Sequence, residues 1–342
     1  MDINQQEAAR AAQARWDSIA KPLGSLGLLE DAIVRIAALT GTAEVRLEKR
    51  CVLVLCADNG IVGEGVTQAD SSVTMSVAQN LVRRQTSVCR MAEAARADVF
   101  PVDMGMNTHP DFEGLINKRV GDGTANFAKA PAMTRTQAQS AIDNGIALAH
   151  EMKSRGYNII ATGEMGIGNT TTSSALCSAL LNLPVEDVTG RGSGLSDEGL
   201  TRKINAIRQG INLHIRPETD VLDTLAALGG FDIAGMAGIF VGGAQAGIPV
   251  IIDGFISAIA ALVAVRLHPE CSVAMLASHI SGEPAGRTVL AQLGLRPLID
   301  AGMRLGEGTG AVAALTLFDL ALAVYHGSSS FDELGVDQYV PQ

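Results

Sequence analysis

The chain has 342 residues, 47% of them hydrophobic and 4% aromatic, with a net charge of −10. Its acidity and the lack of any lysine–arginine block exclude a nucleic-acid partner held by phosphate contacts. The longest apolar runs, 248–267 and 310–326, contain Asp253 and Asp319. Neither is the stretch of roughly 18 uncharged residues that a membrane span needs, and both are expected as core helices.

In chain order, residues 3–19 have the spacing of an amphipathic helix. Lys21-Pro22-Leu23-Gly24-Ser25-Leu26-Gly27 is a loop, and 28–39 is a second helix ending near Gly41. Short β-rich runs then alternate with helical patterns: 51–56, 99–102, 158–162, 250–253, 273–277 and a last one at 303–305. Strands separated by helices predict a parallel sheet covered on both faces, a Rossmann-like α/β fold. Residues 104–131 read as a long loop that serves a site. The polar tail 328–342 is expected to trail along a neighbour or fray. Residues 1–45 and 313–342 are expected to form a small helical lobe beside a catalytic domain at 46–312.

Thirty-seven glycines exceed the usual share of about 7%, a sign of tight loops around a small ligand. Five scattered cysteines, Cys51, Cys56, Cys89, Cys177 and Cys271, form no Cys-x-x-Cys pair. They read as reduced core residues of a cytoplasmic protein. The N-terminus has neither a basic nor an apolar segment of the secretory kind.

The strand ends carry polar and glycine-rich residues, and in open α/β sheets ligands bind there. One end stands out: Gly163-Glu164-Met165-Gly166-Ile167-Gly168-Asn169-Thr170-Thr171-Thr172-Ser173-Ser174, between a buried strand and a helix. Glycines let a ligand approach the backbone, and free N–H groups at a helix start favour an anion, a phosphate being the natural guest. The motif is neither a P-loop nor Gly-x-Gly-x-x-Gly. The plain alternative is a strand-to-helix turn capped by Asn169 or Thr170. Arg191-Gly192-Ser193-Gly194-Leu195 is a second glycine loop opening a helix, suited to an anion or a ribose.

Glu307 stands between Gly306 and Gly308 at the mouth of an apolar helix. It reads as an uncrowded catalytic carboxylate or as a helix-start acid stabilised by the dipole. Glu164 reads as a carboxylate that orders its loop, with catalysis as the alternative. Asp58, Asp103 and Asp253 close three strands as acceptors for loop amides, and without a His/Cys cluster they make a poor metal site. His279 reads as a hydrogen-bonded loop histidine, and Lys203, alone on its helix, as a solvated lysine. No Gly-x-Ser-x-Gly elbow is present.

Taken together, several blocks resemble one family, the nicotinate-nucleotide–dimethylbenzimidazole phosphoribosyltransferases (CobT). They are 21–27, Cys56-Ala57-Asp58-Asn59-Gly60 with Glu64-Gly65-Val66, 163–171, Gly229-Gly230-Phe231-Asp232-Ile233-Ala234-Gly235-Met236, Asp253-Gly254-Phe255, 278–283 and Arg304-Leu305-Gly306-Glu307-Gly308-Thr309-Gly310-Ala311. The resemblance runs over nearly the whole chain. It implies a homodimer that transfers phosphoribose from nicotinate mononucleotide to 5,6-dimethylbenzimidazole, giving α-ribazole 5′-phosphate for cobalamin nucleotide-loop assembly. It makes Glu307 the catalytic base and puts Glu164, Gly166, Ile167, Gly168, Asn169, Thr170, Gly192, Lys203 and Ser281 around the nucleotide and its phosphate. The acceptor pocket falls to Ala69, Val77 and Leu305. Ala69 and Val77 replace a serine and a glutamine of the family pattern, a departure that points to a less polar pocket.

The chemistry fits one carboxylate without an acid partner, and needs no metal or redox cofactor. A pyridinium leaves C1′ without taking a proton, so no general acid is required, in contrast to the carboxyl pair of a glycosidase. Three other readings are open: the same transfer to a phenol or another aromatic, a Rossmann dehydrogenase, or a non-catalytic nucleotide-binding subunit of a heteromer. The dehydrogenase is weakened because Ala57-Asp58-Asn59-Gly60 follows the first strand where a glycine fingerprint belongs. Glu307 argues against the non-catalytic subunit.

Overall fold

The computed structural model describes residues 3–339. Its strands are β1 (Arg50–Ala57), β2 (Ala97–Gly105), β3 (Ile116–Asn117), β4 (Ile159–Met165), β5 (Val250–Ile252) and β6 (Met275–Ala277). They form one sheet in the order β3-β2-β1-β4-β5-β6, and every neighbouring pair is parallel. Parallel neighbours need crossover connections, and intervening helices supply them except between β2 and β3, which a loop joins.

β1 shows why the sheet is covered twice. All eight of its residues are buried. Cys51, Leu53 and Leu55 enter one core with the helices Arg135–Ser154, Phe231–Ala246, Phe255–Leu267 and Asn169–Leu181. Val52, Val54 and Cys56 enter a second core with Ile3–Ser18, Leu28–Thr40, Ser72–Val82, Ser87–Ala94 and Thr309–Gly327. Successive side chains alternate between faces, so an unbroken apolar run serves both layers.

On the first face the helices Arg135–Ser154 and Phe231–Ala246 meet backbone to backbone. A Cβ on Gly145 would lie 1.9 Å from the Gly235 carbonyl oxygen, and one on Gly238 2.0 Å from that of Ile142. On the second face the N-terminal helix pair packs with the C-terminal helix: Trp16 and Tyr325 stack edge to face at 5.0 Å. Arg15 donates to the carbonyls of Tyr325 and Ser328, each at 3.0 Å. Thr309–Gly327 is, by length and composition, the one helix among the described residues that could cross a membrane. Here it lies on the sheet with Leu315 and Phe318 buried, and Asp319 accepts a two-pronged ion pair from buried Arg50 at 2.7 and 3.1 Å.

Three expectations need correction. Residues 303–305 add no strand. The Met303 carbonyl accepts from Gly282 N at 2.9 Å, so this segment pairs with a loop instead of the sheet. The sheet's far edge is β3, from the expected loop 104–131, which then runs beside β2 through Lys118 N to Asp103 O and Val120 N to Met104 O, both 2.9 Å. The tail does not simply trail. Phe331–Leu334 makes a helical turn with a Ser330/Glu333 capping box and a buried Phe331, and Ser330 bridges to Ile19. Residues 340–342 of that tail lie outside the described residues.

Candidate active site

β1 and β4 are adjacent in the sheet, and the chain leaves them toward opposite sides, so a crevice opens at their carboxyl ends. One cleft lies there, walled by the Gly166–Thr170 turn, the Gly192 loop, Asp253, Ser281 and the Leu305–Glu307 loop.

The first wall is the turn after β4. Gly168, at φ 93°, starts the helix Asn169–Leu181 with no side-chain cap. Its neighbour Gly166 is packed so closely that a Cβ would sit 2.7 Å from the Ala57 carbonyl oxygen. Asn169 Nδ2 donates to Asp232 Oδ2 at 2.9 Å and to Glu164 Oε2, tying two buried carboxyls together. Burial pushes Glu164 up to about 8, against the Asn169 hydrogen bond, with Asp232 nearby adding to the rise. Burial likewise raises Asp232 to about 6. Both changes have one main cause: burial strips water from the carboxylate, and the hydrogen bonds left to it, the shared Asn169 amide among them, do not make up the loss.

Behind this turn stands Lys203, fully buried and therefore not the solvated lysine its isolation in the sequence implies. Its Nζ donates to Thr170 Oγ1 and to the Gly190 carbonyl, both at 3.0 Å. Burial lowers its pKa to about 8. Gly192 approaches the same threonine, since a Cβ there would lie 3.1 Å from Thr170 Oγ1.

The opposite wall carries Glu307. Gly306, Glu307 and Gly308 all have positive φ, at 88°, 60° and 95°. A glutamate costs energy in that region, and such outliers gather at functional sites. The loop is fixed from two directions. Asp253 Oδ1 accepts from Gly310 N at 2.7 Å and Ala311 N at 3.0 Å, and Oδ2 from Gly308 N at 3.2 Å. Asp253 thus caps the helix Thr309–Gly327 from a different strand. The half-buried Glu307 side chain accepts from Val88 N at 3.4 Å, at the start of the helix Ser87–Ala94. Burial raises its pKa above the ordinary glutamate value, opposed by the Val88 amide and the Thr86 hydroxyl.

Glu164, Gly166, Ile167, Gly168, Asn169, Thr170, Gly192, Ser281, Leu305 and Glu307 therefore converge on one cleft, with Lys203 just beneath it. Leu305 is 56% exposed there, an apolar face for a flat ligand. Ala69 and Val77 are not among the lining residues: Ala69 sits in the turn before the helix Ser72–Val82, and Val77 packs against the second core. Residues 104–131 do not line the cleft either. Asp58 and Asp103 accept loop amides as expected, Asp58 from Asn107 N at 2.7 Å and Asp103 from Gly105 N at 2.9 Å. No group of three or more His, Cys, Asp or Glu residues suited to a metal occurs among the described residues.

With this geometry in place, residues 2–336 match a family model described as phosphoribosyltransferase. The chain belongs to this phosphoribosyltransferase family. It is 45% identical over 330 residues to the nicotinate-nucleotide–dimethylbenzimidazole phosphoribosyltransferase of Acetivibrio thermocellus, covering 96% of this chain and 94% of that one. Identity to the protein of the same name from Roseiflexus sp. is 46%, again over 96% and 94%. The solved structure of CobT from Thermus thermophilus superposes with a TM-score of 0.92 at 39% identity, covering 97% of this chain and all of that one.

In this phosphoribosyltransferase the sequence reading missed two contributors. Asp232 reaches Asn169 from another element, a contact that no local pattern reveals. Glu283 lines the cleft beside Ser281, and its only signal was its place in the 278–283 block.

Proposed function

We propose that the chain transfers the phosphoribosyl group of nicotinate mononucleotide to 5,6-dimethylbenzimidazole, yielding α-ribazole 5′-phosphate and nicotinate for the cobalamin nucleotide loop. The observation that carries this reading is the half-buried Glu307 carboxylate, held in left-handed backbone on the wall of a cleft that also contains the Gly166–Thr170 turn. The full-length relatives bear the name of this activity.

A benzimidazole ring nitrogen attacks ribose C1′ while the bond from C1′ to the pyridinium nitrogen breaks. The electron pair of that bond stays with the departing ring, which leaves as nicotinate. Attack from the opposite face converts the β linkage to α. The other benzimidazole N–H becomes acidic as positive charge develops, and we assign Glu307 as the base that takes its proton. The 5′-phosphate is placed at the Gly166–Thr170 turn, where an uncapped helix start and the Lys203–Thr170 pair favour an anion. The acceptor ring is placed against Leu305. Glu164 is assigned to ordering the turn through Asn169, because a carboxyl raised to about 8 is mostly protonated at neutral pH.

The test is incubation of the purified protein with nicotinate mononucleotide and a panel of benzimidazoles, purines and phenols, with products identified by mass. Dimethylbenzimidazole should react fastest. A phenol reacting alone would replace the acceptor, and no product from any acceptor would overturn the reading. We also propose a homodimer in a reducing, cytoplasmic setting. Five free buried cysteines support the setting, and surface-exposed Leu320, Leu334 and Val336 support self-association, which light scattering checks.

A further inference from the structure

Glu283 lines the cleft next to Ser281, yet the reaction described above gives it no task. Its Oε2 is sealed from solvent and has no hydrogen-bond partner among the described residues. Lys203 is close enough to feel its charge, yet the two hydrogen bonds of its Nζ go to Thr170 and Gly190. Gly190 makes room for the carboxylate: a Cβ there would lie 2.0 Å from Glu283 Oε2. A buried carboxylate oxygen without a donor is costly, and a turn of the Glu283 side chain toward the cleft it already lines brings that oxygen to a donor on whatever is bound there.

The donor nucleotide offers few choices. Its phosphate and its ring carboxylate are anions that only accept, and a pyridinium nitrogen bonded to C1′ has no N–H. The two ribose hydroxyls are its only hydrogen-bond donors. The ribose also adjoins the phosphate, and Glu283 adjoins the Gly192–Lys203–Thr170 corner where the phosphate is placed. We propose that Glu283 is a specificity-determining residue that accepts hydrogen bonds from the ribose 2′- and 3′-hydroxyls and so selects ribonucleotides over deoxyribonucleotides. This rests on the nucleotide reading of the cleft.

Calorimetric binding to the intact protein tests it, using nicotinate mononucleotide, its 2′-deoxy and 3′-deoxy analogues, and inorganic phosphate. A hydrogen bond to a charged group is worth about 1.5–3 kcal/mol, so at least one deoxy analogue should bind about 10- to 100-fold more weakly to the wild type. Glu283→Ala should weaken the ribonucleotide by a similar factor and leave that analogue nearly unchanged, so the ratio collapses. Phosphate should bind the variant no more weakly, since a nearby negative charge is gone. Glu283→Gln, close in shape and still an acceptor, should fall between and guards against misfolding. Equal binding of all three nucleotides by the wild type, or parallel losses in both variants, would overturn the proposal. Turnover is read separately. Ribose selectivity without transfer would support this inference while sinking the proposed reaction, and transfer without ribose selectivity would do the reverse.

Discussion

Gly163 lies directly against Glu307: a Cβ on Gly163 would stand 2.4 Å from the Glu307 carbonyl oxygen and 2.7 Å from its carbonyl carbon. Both contacts are backbone, which cannot rotate aside. Gly163→Ala should push the 306–308 loop away from β4. A misplacement of about 1 Å can cost ~10²-fold in rate. The expected result is a large fall in kcat with a small change in the KM for nicotinate mononucleotide. An unchanged kcat would show that the loop tolerates displacement.

Glu307→Gln keeps the shape and removes the base we propose. Turnover should drop on the order of 10²–10⁴-fold with nucleotide affinity little changed. The wild-type profile follows from burial. Glu307 must be ionised to accept a proton, so kcat should fall as pH drops through its pKa, and that midpoint should lie above the ordinary glutamate value of 4.5. The acidic limb should vanish in the variant, a comparison made by steady-state rates across pH.

Glu164 predicts a stability effect of definite sign. Its folded pKa, about 8, exceeds the ordinary glutamate value of 4.5. The neutral folded form is therefore favoured below 4.5, and that contribution is lost as pH rises through 8. Asp232 shares Asn169 with it, so the protons leave the pair in coupled steps. Glu164→Gln cannot ionise. Its melting temperature, relative to the wild type, should rise steadily from about pH 5 to pH 8. A constant difference would mean that Glu164 is ionised throughout.

Lys203→Met retains bulk in a buried site and removes the charge. Nicotinate mononucleotide should bind far more weakly, while free nicotinate or dimethylbenzimidazole should bind as before. In the wild type, affinity for the nucleotide should decline as pH rises through about 8, where the lysine of the empty protein loses its proton. Calorimetry at several pH values checks both statements, and equal losses for all ligands would point to a folding role.

Gly238→Ala tests the helix contact on the first face. The new methyl would meet the Ile142 carbonyl at 2.0 Å, and overpacking of this kind costs about 1–3 kcal/mol. Gly327→Ala is the control. Nothing lies within 4 Å of its added Cβ, so the change should be neutral or stabilising by up to about 1 kcal/mol. Urea unfolding of the two variants should give opposite or clearly unequal shifts.

How much of this was legible in sequence depended on how local the cause was. β1 and β4 declare themselves because they are buried on both faces and therefore largely apolar. The Gly166–Thr170 turn and Glu307 declare themselves because glycines mark where backbone must bend or let something close. β3 is two residues long and has no pattern to read, and 303–305 looks extended but finds its partner in a loop. Lys203 was unreadable for another reason. Its hydrogen-bond partners, Thr170 and Gly190, come near only when the chain is folded. Ala69 and Val77 failed to reach the cleft because their segment ends in a helix packed on the second core.

Two helices begin at this cleft after similar glycines, at Gly168 and Gly308. Asp253 already fills the second start with three amide bonds, while the first has no side-chain cap. On the reaction we propose, the substrate phosphate is therefore turned away from the filled helix start and accepted at the open one. That asymmetry lets the nucleotide enter in a single direction, and the direction decides which face of the sugar the incoming base meets.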